Sequence, residues 1–66
     1  MLFNIITESG CMYRNVKVIS SRGFARDKKD VKGALKYEKG ITLLSPVYMN
    51  KYIENKNVYS IEEVEE

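Results

Sequence analysis

Cationic side chains are the one reactive group that this sequence concentrates. Residues 14–39 hold nine Lys or Arg, at 14, 17, 22, 26, 28, 29, 32, 36 and 39, against three acids at 27, 30 and 38. A local excess of six positive charges attracts phosphate oxygens, and it makes binding depend on salt through the counterions released. Nucleic acid or a phosphorylated ligand is therefore the expected partner, with Arg22, Arg26, Lys28, Lys29 and Lys32 as contacts and Phe24 inserting beside them. If Tyr48, Tyr52 and Tyr59 share one sheet face, they form a platform on which bases can stack. The competing reading packs those rings into the core with their hydroxyls at the surface.

Covalent chemistry finds little support. The chain has no histidine, which removes Ser-His-Asp and Cys-His catalysis, His-ligated zinc and the commonest general base near neutral pH. Glycines at 10, 23, 33 and 40 match neither the phosphate-binding loop nor the dinucleotide fingerprint. Asp27 and Asp30, set among five nearby cations, read as surface charge better than as a magnesium site. The expectation is a non-catalytic binding protein with no cofactor and no metal.

Residues 40–66 reverse the charge, with two Lys against five Glu. A chain with one basic and one acidic pole can also grip a protein of mixed charge, so a protein-binding inhibitor or assembly factor is the alternative function. Eight Lys against three Arg, with abundant Asn, Ile and Tyr, suit an AT-rich genome and hence a phage or other mobile element.

These residues need a scaffold, and 66 residues allow one thin-cored domain. β-branched and aromatic residues fill 1–8 and 11–20, with Ser9-Gly10 as the turn between two strands. In the second run Met12, Val16 and Val18 share one parity, the expected buried face, and Arg14 interrupts it. Residues 21–32 read as a long basic loop or a frayed helical turn. For residues 33–44 helical spacing of Val31, Leu35 and Glu38 after an Asp30 cap competes with strand alternation. Gly33 and the Lys39-Gly40 turn favour strand. Ser45-Pro46 breaks the chain, and residues 46–55 fit either a helix or a strand. A hairpin about residues 54–57 is preferred, with Ile53 facing Val58 and Tyr52 facing Tyr59. The expected fold is all-β, or mostly β with one short helix, as a five- to six-stranded SH3-like or Sm-like barrel over residues 1–61. An acidic tail, 62–66, follows.

The apolar start is short and lacks a preceding cation, so no signal peptide is expected, and no apolar run approaches the ~20 residues that cross a bilayer. Cys11 is the single cysteine, read as a small, partly buried apolar residue in a reducing cytoplasm. With neither disulfide nor metal to brace a small core, a homo-oligomer is expected.

Overall fold

A computed structural model describes residues 1–45, 47 and 50–65. Strand β1, Leu2–Thr7, buries Phe3, Ile5 and Thr7 on alternate positions. Gly10, at φ +91°, closes the following turn, and its N–H donates to the Thr7 carbonyl at 3.0 Å. Strand β2, Met12–Ser20, returns antiparallel.

The buried parity of β2 is not constant along its length. Phe3 pairs with Val16 but Ile5 pairs with Tyr13, so Arg14 and Asn15 together oppose Asn4. This is a β-bulge, whose extra residue inverts the alternation. Tyr13 packs against the core and Met12 is exposed, whereas Val16 and Val18 are buried. The expected face of Met12, Val16 and Val18 therefore holds only for the two valines, and Arg14 interrupts the row because it lies in the bulge. Asn15 carries the left-handed backbone, φ 55°, that Asn tolerates better than most residues. Its N–H donates to Asn4 Oδ1 at 3.1 Å, and Asn4 Nδ2 in turn donates to Glu62 Oε1 at 3.1 Å.

After a tight turn at Ser21-Arg22, the short β3, Gly23–Phe24, pairs back on β2. Helix α1, Lys28–Tyr37, then stands where a basic loop and the start of a strand were expected. Local capping decides this against the Gly33 penalty. Asp27 is the N-cap, accepting from the Asp30 N–H at 2.9 Å, while Asp30 Oδ2 accepts from the Arg26 N–H at 2.8 Å. Val31 and Ala34 then fall on the buried stripe, with Leu35 beside it.

Strands β4, Gly40–Leu44, β5, Lys51–Glu54, and β6, Val58–Val64, complete a mostly β architecture with one helix. All pairings are antiparallel in the order β5-β4-β2-β1-β6, with β3 also on β2. β2 is shared: residues 12–16 pair with β1, and residues 17–19 with β4. The core comprises Phe3, Ile5, Val16, Val18, Val31, Ala34, Ile41, Leu43, Ile53 and Ile61, with α1 lying against β4 and β6.

Four further expectations change. The sheet is not closed into a barrel, because β5 and β6 take β4 and β1 as partners and stand at the two ends of the order. The hairpin about residues 54–57 is accordingly replaced by a 3₁₀ turn, Asn55–Asn57, that crosses between those ends. The Asn55 N–H donates to the Lys39 carbonyl and the Asn57 carbonyl accepts from the Glu8 N–H, both at 2.8 Å. Of the expected acidic tail, residues 62–64 belong to β6. Cys11 is exposed rather than partly buried.

Candidate nucleic-acid interface

The expected ligand-binding residues divide among separate surfaces. Arg22, Phe24, Arg26 and Lys29 line one open cleft of ≈ 620 Å³ between the β2–β3 hairpin and α1, together with Asp30, Gly33, Tyr37 and Glu38. Lys28 and Lys32 occupy another side of α1, where they share a groove of ≈ 350 Å³ with Tyr59. Tyr52 lines a third depression beside Tyr13 and Lys51. Tyr52 and Tyr59 are thus not brought together, since the pairing that would have aligned them is absent, and Tyr48 lies outside the described residues.

Two contacts hold the cleft walls against each other. At the hairpin tip the Ser21 N–H donates to Glu38 Oε1 at 3.1 Å, joining the turn to the C-terminal end of α1. At the opposite end Arg26 meets Asp30 through its N–H and through Nε at 3.2 Å. The backbone N–H of Arg26, followed by its side chain, holds the Asp30 carboxyl below its ordinary range, so this acid stays ionised. Asp30 and Glu38 therefore offset part of the charge of Arg22, Arg26 and Lys29. Lys29 makes no ion pair among the described residues.

The floor follows helical geometry. Positions 29, 33 and 37 recur at the four-residue spacing that stacks side chains on one face of α1. Gly33 contributes no side chain at the centre, and a Cβ built there meets no atom within 4 Å. Aromatic rings stand at both walls: Phe24 is 58% exposed and Tyr37 75% exposed. Lysines accompany them, with Lys17 Nζ 5.8 Å from the Phe24 ring centre and Lys36 Nζ 5.4 Å from that of Tyr37. These distances fall within cation–π range.

Sequence reasoning missed Tyr37 as a lining residue, and it missed Lys17 and Lys36, which do not line the cleft but stand over its two rings. The strand reading of residues 33–44 hides Tyr37, yet the Asp27-Lys28-Lys29-Asp30 pattern is a capping signal that sets the helical period and brings it onto the Lys29 face. Lys17 reaches Phe24 through tertiary pairing: Phe24 pairs with Ile19, and Lys17 is the diagonal neighbour on the same face of β2.

Compared with known families, curated proteins and solved structures, the chain matches none.

Proposed function

We propose that this protein is a non-catalytic binding module that takes nucleic acid or a phosphorylated ligand in the cleft between the β2–β3 hairpin and α1. The observation that carries this reading is the convergence of Arg22, Arg26 and Lys29 with the exposed rings of Phe24 and Tyr37 on one open cleft. Cations supply attraction for phosphate, and exposed rings supply surface that gains by stacking. Lys28 and Lys32, across the helix, add to the long-range field.

The proposal extends to architecture and assembly. A β2 shared between two halves of the sheet and a 3₁₀ turn joining its ends support an open relative of SH3-like and Sm-like barrels. A core of ten apolar side chains among the described residues, with no disulfide, supports self-association in a reducing cytoplasm.

The binding test uses Arg22→Glu/Lys29→Glu, which leaves the Arg26–Asp30 clamp in place. Fluorescence anisotropy against labelled DNA and RNA should show binding by the parent and its loss in the double variant, with an unchanged circular dichroism spectrum. Parent affinity should fall with salt, by ~0.9 in log K per log salt for each duplex phosphate contact and ~0.7 for a single strand. Equal affinity in parent and variant, with no salt slope, would remove the cleft from consideration.

A second reading, a protein-binding inhibitor or assembly factor from a mobile element, draws on the exposed apolar side chains. Met12, Phe24, Tyr37, Val47, Tyr52 and Tyr59 are all exposed, and aromatic residues and methionine are enriched at protein interfaces. A single nuclease-resistant protein partner, retained in the absence of any polyanion binding, would favour it.

A further inference from the structure

We infer that the ligand of the hairpin–helix cleft is single-stranded nucleic acid, held by bases stacked on Phe24 and Tyr37 with its phosphates met by Arg22, Lys29, Lys17 and Lys36. The inference rests on the phosphate-binding reading of this cleft and adds the class of strand.

Phosphate recognition needs cations alone, and it gives no role to two large, solvent-exposed rings on opposite walls. Unpaired bases give them one. Every base presents a π face once it is unstacked, whereas a duplex keeps those faces buried and offers chiefly its backbone and groove edges. Phe24 comes from the β2–β3 hairpin and Tyr37 from the last turn of α1, so the strand would touch both walls.

The lysines sharpen the assignment. Lys17 and Lys36 lie over the two rings at 5.8 and 5.4 Å, and with Phe24 58% and Tyr37 75% exposed each ring still offers surface to a base. Each ring thus carries a cation close enough to serve the phosphate of the nucleotide stacked there. The pairing of one ring with one ammonium occurs on both walls, built from unrelated parts of the chain.

The floor has suitable length and clearance. From Lys29 to Tyr37 the helix rises about 12 Å, several times the ~3.4 Å repeat of a stacked strand. Gly33 sits at the middle of that run and leaves the floor clear. Any larger side chain there would point into the path of the ligand while leaving the cations and rings in place.

Three labelled probes test the inference by fluorescence anisotropy: a twelve-residue oligothymidylate, an abasic deoxyribose-phosphate oligomer of the same length, and a twelve-base-pair duplex. The oligothymidylate should bind best. Phe24→Ala and Tyr37→Ala should each weaken it roughly five- to 150-fold while changing the abasic oligomer little. Gly33→Leu should weaken the oligothymidylate with the helical spectrum retained. Equal affinity for the abasic oligomer, tighter binding of the duplex, or indifference to both aromatic substitutions would overturn the single-strand assignment and leave phosphate binding standing. Failure of all three probes to bind would overturn both.

Discussion

Individual side chains in this protein often serve the fold and the cleft together, and substitutions must be chosen with that in view. Arg26 illustrates it. Its N–H and guanidinium both meet Asp30, so Arg26→Glu would set two carboxylates against each other at the start of α1. Arg22 and Lys29 can be reversed without touching that cap. Asp30 also carries a pH signature. Its native pKa lies below the unfolded value, so the unfolded chain binds its proton first on acidification, and the stabilisation present above the unfolded pKa is lost as pH falls through the native one. Urea melts between pH 5 and 2 should therefore show a shallower acid decline for Asp30→Asn than for the parent. A contact of another kind is made by Asn55, whose Nδ2 donates to the carbonyls of Leu35 and Glu38 at 3.2 and 3.1 Å. Those carbonyls end a helix and have few intrahelical partners. Asn55→Ala should cost about 1 kcal/mol, measurable by denaturant titration, and Asn55→Asp should cost more by placing an anion at the negative end of the helix.

At the scale of elements, Gly33 is the clearest inefficiency. It lies inside α1 with open space where a Cβ would go, so Gly33→Ala should stabilise by up to ~1 kcal/mol and raise the melting temperature by roughly 4–8 °C. Gly40 behaves oppositely. A Cβ there would run into the Ile53 carbonyl and the Tyr52 ring, so Gly40→Ala should lower the melting temperature. The two glycines look alike in sequence and differ in what surrounds them, open space beside a helix against close packing in a strand. The same distinction governs what could be read in advance. Strands β1 and β4 and the turn at Ser9-Gly10 were legible because alternation and turn chemistry are local. The bulge at residues 14 and 15 was not, because its warrant is the Asn4 side chain on a neighbouring strand. Helix α1 is obscured in the sequence because Gly33 argues against it and Asp30 competes with Asp27 as the apparent cap. Arg22, Phe24, Arg26 and Lys29 were legible as a cluster because they are close in sequence. Their separation from Lys28 and Lys32 needed the helix, and Tyr52 and Tyr59 were placed apart by strand pairings that no local pattern specifies.

The whole molecule is small, with a radius of gyration of 10.4 Å and a core to which α1 and every strand except β3 contribute among the described residues. Multi-angle light scattering coupled to size exclusion should return a mass above one chain if the thin core is supplemented by self-association, together with a melting temperature that rises with concentration. A monomer with a concentration-independent transition would dismiss that expectation. One junction bears on motion as well as on stability. The 3₁₀ turn bonds to Lys39 at one end and to Glu8 at the other, while the Asn55 side chain seizes the end of α1. Helix, first hairpin and both outer strands therefore meet at three residues, and fraying of any one exposes bonds of the others. Amide protons of Glu8, Glu38 and Asn55 should then exchange with deuterium through a single shared opening event rather than as independent segments. An α1 wall coupled to the junction in this way would not open alone as a gate. If the cleft takes the proposed ligand, capture should proceed in one bimolecular step, with a rate proportional to concentration and no plateau from opening of α1.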